Sequence, residues 1–255
     1  EYQHAANAIT RALERSEIPL LYQPILDLDS RKIIAVEAFA RLPQQATQSP
    51  LEFFELAERR GQTRELSDLV LRAVCRQASQ WLKDGIDFGR ICVNVSDAQT
   101  RHPDFFKCLL GIMQQFSVPG ERLELELRAS CFKPPNVTIR SQIVAASARG
   151  VTITLDGADA HALPVISESP VNKVKISRHL IQQSTTSTTS RAIIKAIATL
   201  SLEMGYELAG SGIETQEQLD QLLAAGCRTG QGYLLYRPMT ADLFASKLTA
   251  LATQS

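Results

Sequence analysis

Short apolar strands alternate with helix-patterned segments, joined by short connections, along nearly all of this 255-residue chain. No other feature restricts the fold as much, because strand and helix in strict alternation give parallel strands linked by crossover helices. Apolar spacing predicts helices over 4–16, 51–59, 64–84, 104–116, 137–149, 191–204, 215–225 and 240–249. Strands are predicted over 20–28, 33–39, 91–95, 122–127, 151–155, 174–176, 206–209 and 228–232. A set of this size in one unit favours a closed α/β barrel over an open sheet, with ligand groups at the C-terminal strand ends. One departure stands out. Residues 20–28 and 33–39, joined by a turn at Asp29-Ser30, read as an antiparallel hairpin, which a regular barrel lacks.

Charge and composition exclude several functions. Lys plus Arg and Asp plus Glu both number 27, with no basic block, so broad electrostatic capture of DNA or RNA is disfavoured. The five cysteines are odd in number, widely spaced and free of C-x-x-C pairs, and read as core thiols of a reducing compartment. With neither a run of membrane-spanning length nor a signal peptide, the expected location is the cytoplasm. The chain opens on Glu1-Tyr2-Gln3, already in helical pattern. Residues 1–19 are therefore expected to be an N-terminal helix continuing from an upstream linker, and 20–255 a single barrel domain.

Polar groups gather where the strands end: Glu37, Asn94, Glu126, Asp156, Lys175, Glu214 and Gln231. Carboxylates at an apolar rim need cations, donors or water. Hard divalent metals take such oxygen ligands. Rim groups bonded to loop backbone would leave the same trace, and spacing alone leaves both readings open.

Together, several blocks carry a resemblance. Tyr22-Gln23-Pro24-Ile25, Val36-Glu37-Ala38-Phe39-Ala40-Arg41, Val93-Asn94-Val95-Ser96, Leu125-Glu126-Leu127, Val174-Lys175-Ile176, Gly212-Ile213-Glu214-Thr215 and Gln231-Gly232-Tyr233-Leu234-Leu235-Tyr236-Arg237-Pro238 occur in register across residues 15–245. They resemble the EAL domain, a family of cyclic di-GMP phosphodiesterases and non-catalytic relatives. The resemblance implies a modified TIM-like (β/α)8 barrel with an antiparallel first strand, which would account for the hairpin. It implies metal ligands at Glu37, Asn94, Glu126 and Asp156, a water-positioning lysine at Lys175, and further site residues at Glu214 and Gln231. For binding of cyclic di-GMP it points to Gln23, Phe39, Ala40, Arg41, Asn94, Asp156, Asp159, Lys175, Glu214, Gln231, Leu235, Tyr236 and Pro238.

This chain departs from the family pattern in places that matter. The D-D-F-G-T-G block reads Asp156-Gly157-Ala158-Asp159, in a loop about two residues shorter. The E-L-T-E block reads Glu126-Leu127-Arg128-Ala129, and A-E-G-V-E reads Gly210-Ser211-Gly212-Ile213-Glu214. Two adjacent divalent ions cannot sit beside a phosphodiester without carboxylates to neutralise them. The sequence thus reads as a degenerate, FimX-like EAL domain with no catalytic residues in working order. It would bind cyclic di-GMP with no required cofactor, holding Mg or Mn weakly if at all. It would relay the signal to a partner, a PilZ-domain protein in type IV pilus and twitching control, from a chain with upstream GGDEF/PAS-type domains. A weakly active phosphodiesterase and a nucleotide-independent interaction module are the alternatives. The Ser/Thr-rich stretch 182–190 reads as a loop.

Overall fold

The computed structural model describes residues 2–41, 56–132 and 139–252. The predicted helix start at 51–55 and the residues 137–138 fall outside them.

Eight strands close into one barrel in sequence order. They are β1 (Leu20–Asp27), β2 (Ile33–Ala40), β3 (Arg90–Val95), β4 (Leu123–Arg128), β5 (Thr152–Ala158), β6 (Lys173–Ile176), β7 (Glu207–Gly210) and β8 (Thr229–Gly230). β2 through β8 pair in parallel, while β1 runs antiparallel to both β2 and β8. The α/β barrel with a reversed first strand is therefore present. The reversal has a local cause: the tight turn at Asp27–Ser30, where the Asp27 carboxylate accepts from the Ser30 amide and hydroxyl, leaves no room for a crossover helix.

The described helices are α1 (Tyr2–Arg15), α2 (Thr63–Lys83), α3 (Asp97–Arg101), α4 (Phe105–Gln115), α5 (Ile139–Ser147), α6 (Leu163–Glu168), α7 (Arg178–Ser184), α8 (Thr188–Glu203), α9 (Gln216–Ala224) and α10 (Ala241–Ala252). Their apolar stripes pack on the outward faces of the strands, and this shell is the main core. α2 shows how. Leu66, Val74, Ala78 and Trp81 are buried, and the Trp81 ring lies 4.9 Å from Tyr22, 5.4 Å from Phe88 and 5.0 Å from Phe244. That aromatic group clamps β1 between α2 and α10. Three short helices, α3, α6 and α7, were not legible as helices in the sequence. The 182–190 stretch is corrected as well: it is the end of α7 and the start of α8, with Ser184 and Ser190 buried.

The barrel interior differs from the shell. Its apolar content is a small separate cluster of Ile25, Ala35 and Cys92. Above that, the axis is ionic.

Candidate functional site

Strand alternation puts every second residue on the inner face. On β4 these are Glu124, Glu126 and Arg128, since Leu123, Leu125 and Leu127 belong to the outer core. On β6 they are Lys173 and Lys175. The result is two stacked ion pairs with the same sequence separation. In the lower tier the Lys173 ammonium donates to Glu124 at 2.9 and 3.1 Å, and Thr154 Oγ1 donates to the same carboxylate at 2.6 Å. In the upper tier the Lys175 ammonium donates to both Glu126 oxygens at 2.8 Å and to Glu37 at 2.7 Å. Glu37 also accepts from Asn94 at 2.6 Å and from Gln231 at 2.5 Å.

The upper tier lies at the open, C-terminal end of the parallel strands, where such barrels carry ligands. Local structure fixes each member. Asn94 is the penultimate residue of β3, two residues before a capping box in which Ser96 accepts from the Gln99 amide and Gln99 accepts from that of Ser96. Glu37 is the direct cross-strand partner of Gln23, whose amide donates to the Tyr236 carbonyl at 2.9 Å. Gln231 is held by the turn that follows β8. There Gly232 lies against the backbone of Ile213, and a Cβ at 232 would approach the Ile213 carbonyl oxygen to 2.0 Å. Gly232→Ala is expected to destabilise the chain by ~1–3 kcal/mol, measured as a lower urea midpoint; an unchanged midpoint would contradict this packing.

The upper tier has more negative than positive charge. Burial alone would lower the Lys175 ammonium, but the carboxylates of Glu126, Glu37 and Asp156 hold it well above its ordinary value. Burial would raise Glu37, and Lys175 with the Gln231 and Asn94 hydrogen bonds outweighs it, so Glu37 is held low. Burial and then the Glu37 charge push Glu126 well above the carboxylate range. Asp156, half-buried at the rim, is raised by burial against the pull of Lys175. The single ammonium thus favours the charged form of Glu37 most, and Glu126 and Asp156 are the groups whose ionisation a further cation would ease.

Some of the expected residues lie outside this cluster. Glu214 is turned away: it pairs with Arg178 at 2.5 Å and accepts from Gln182 at 3.3 Å. Asp159 caps a short 3-10 turn, accepting from the His161 amide at 2.8 Å. The side chain of Ala40 belongs to the outer core, so only its backbone can reach the mouth. Phe39 lies on the inner face of β2, half-buried, with the Arg41 guanidinium 5.6 Å from its ring centre. Leu235 is partly buried against the core, Tyr236 has the Lys247 ammonium 5.5 Å from its ring, and Pro238 is half-buried in the same segment. Glu124, Lys173, Thr154 and Arg178 were missed. The signal for the first two was present: Glu-x-Glu at 124–126 and Lys-x-Lys at 173–175 repeat with strand period.

The donor set suits one hard divalent cation. Glu37, Glu126 and Asp156 share the one Lys175 ammonium, Asn94 adds an amide oxygen, and Gln231 Oε1 is buried without a hydrogen-bond partner. Ligand atoms of Cys92, Glu124 and Glu126 also lie within 4.8 Å of one another. That trio is a poorer site for a hard cation, because burial keeps the Cys92 thiol protonated. A separate groove of about 900 Å³ between α1 and α2 shares no residue with the cluster.

A family profile described as EAL domain matches residues 6–238. This chain belongs to the EAL domain family. Over 227 residues, 88% of its length, this EAL domain is 30% identical to the cyclic di-GMP phosphodiesterase PA2567 of Pseudomonas aeruginosa, and it spans 38% of that relative. It is similar to the solved structure of PaMucR phosphodiesterase in complex with c-di-GMP, with a TM-score of 0.86 and 29% identity, covering 94% of this chain and 99% of that one. The FimX EAL domain of Xanthomonas citri, solved with c-diGMP, shares the fold at 19% identity and a TM-score of 0.81, covering 94% of both chains. Among the described residues, no helix is long and apolar enough to cross a membrane.

Proposed function

We propose that this EAL domain binds cyclic di-GMP at the open end of the barrel and releases it unhydrolysed. One observation carries the reading: the positions that would complete a second metal's ligand set have no acid. Gly157 bears no side chain and is exposed, and the Ser211 hydroxyl is committed to the Ile176 carbonyl at 3.0 Å. The remaining carboxylates converge on one lysine. They can hold at most one Mg or Mn ion, through Glu37, Asn94, Glu126 and Asp156; such an ion would polarise a phosphodiester oxygen. Lys175 would then keep Glu37 ionised, and Gln231 would hold it in place. A two-metal displacement needs a second ion to activate water, and nothing here would retain it.

Grip on the nucleotide needs less. Arg41 beside Phe39 offers a charge-assisted hydrogen bond to a phosphate next to a ring that can meet a base. Gln23, Leu235, Tyr236 and Pro238 would supply the adjoining wall. Relay to a partner, a PilZ-domain protein in pilus-linked motility, is part of the proposal and rests on the sequence resemblance.

Calorimetry of this chain with cyclic di-GMP in metal-free buffer tests the binding. Saturable heat is expected, with Arg41→Ala weakening it about tenfold or more; no heat would overturn the reading. A second reading, slow phosphodiesterase activity, is favoured by the intact Glu37, Asn94, Glu126 and Lys175 and by the 30% identity to a named phosphodiesterase. Accumulation of linear pGpG with Mg²⁺ or Mn²⁺ would establish it in place of the first.

A further inference from the structure

Arg128 has no role in the reading so far, yet its position is specific. It is the last residue of β4, on the same face as Glu126 and one inner-face step closer to the mouth. Its outward neighbour Leu127 is fully buried, while Arg128 is exposed. In the parallel ladder it stands directly beside Asp156. Its charge is felt there, drawing the Asp156 carboxyl down against burial. Even so, the guanidinium makes no ion pair or hydrogen bond among the described residues. Of the other cations near the mouth, Lys175 is held by Glu37 and Glu126 and Arg178 by Glu214, while Arg41 lies over Phe39 with its donors open to a phosphate.

We propose that Arg128 is a phosphodiester-binding residue of the barrel mouth, supplying beside Asp156 the positive charge that a second metal ion would otherwise bring. The inference rests on the cyclic dinucleotide reading. An arginine at this place changes the chemistry as well as the charge. It presents a planar fork of N–H donors that matches two phosphate oxygens, and it neither ionises water nor leaves with a chelator. It therefore suits tight, metal-independent holding and opposes entry of a second cation through like charge. The same substitution that removes a small residue from the rim would convert the site from a metal-assisted one to a guanidinium clamp.

The test is titration calorimetry of cyclic di-GMP into the 255-residue chain, in chelator-treated buffer at two salt concentrations. Wild type, Arg128→Gln and Arg128→Lys are compared. Arg128→Gln is expected to weaken binding about tenfold and to flatten its salt dependence, with an unchanged melting temperature because the side chain is exposed. Arg128→Lys should recover part of the affinity and most of the salt dependence. Affinity and salt dependence of Arg128→Gln matching wild type would overturn the inference while leaving the binding reading intact. Absence of binding by wild type would overturn both.

Discussion

Lys173→Met is expected to destabilise the barrel by ~3–5 kcal/mol at neutral pH, the usual cost of leaving one half of a buried ion pair. Lys173 and Glu124 are 2% and 1% exposed, and the remaining cation near Glu124, Arg90, is 3.5 Å away and partly in water. Burial alone would raise Glu124, yet Lys173 and the Thr154 hydroxyl hold its carboxyl below the ordinary value. The folded group therefore titrates below the unfolded one. Its contribution is complete above the unfolded pKa and is lost as pH falls through the folded value. In Lys173→Met burial dominates and the carboxyl rises, so that variant loses stability as pH rises. The gap between the two proteins should be widest at neutral pH and shrink in acid. Urea midpoints across pH 3–8 measure this, the range being set by the approximate carboxylate titration window. Adding Glu124→Met should restore most of the loss, because an apolar pair of similar volume is often no worse than the ion pair. If Lys173→Met alone keeps the wild-type midpoint at neutral pH, the lower tier contributes nothing to folding.

The second large effect is a gain. Gly157→Asp combined with Ser211→Glu is expected to raise metal-dependent production of linear pGpG by roughly 100-fold or more, the usual scale for restoring a missing ligand or charge-stabilising group. The backbone permits it. Gly157 has φ of +68°, a strained region that aspartate enters more readily than most residues, at about 1–2 kcal/mol, and a Cβ there meets nothing within 4 Å. At 211 the change gives up one hydroxyl bond to the Ile176 carbonyl. Each single variant should fall well short of the pair, since acids that hold the same ions act together. Product is read by chromatography after incubation with Mn²⁺. An unchanged yield from a folded double variant would show that these two positions are not what silences the site.

The sequence made the fold legible because its signals are local. Alternating apolar strands and helices specify a barrel, and the Asp27–Ser30 turn reverses β1 whatever lies beyond it. Glu37, Asn94, Glu126, Asp156, Lys175 and Gln231 were likewise legible, as polar residues at strand ends. What stayed hidden depends on side-chain direction across distant elements. Nothing near Glu214 announces that Arg178, 36 residues earlier, will draw it aside. Asp159, expected to contact the nucleotide, also accepts from the His161 amide as a cap, which the sequence did not announce. The helix α7 and the first turn of α8 were obscured because Ser and Thr usually mark loops, whereas here Ser177 and Ser187 start helices by accepting from Leu180 and Ser190.

The lower ion pair has a bearing on the history such a chain can have. Glu124 and Lys173 tie β4 to β6 through contacts that involve neither Gly157 nor Ser211. A barrel keyed at its floor can have its rim rewritten one residue at a time, with every intermediate still folded. Acids at the mouth can drift to glycine or serine, and an arginine can enter, while the scaffold that positions them stays where it was.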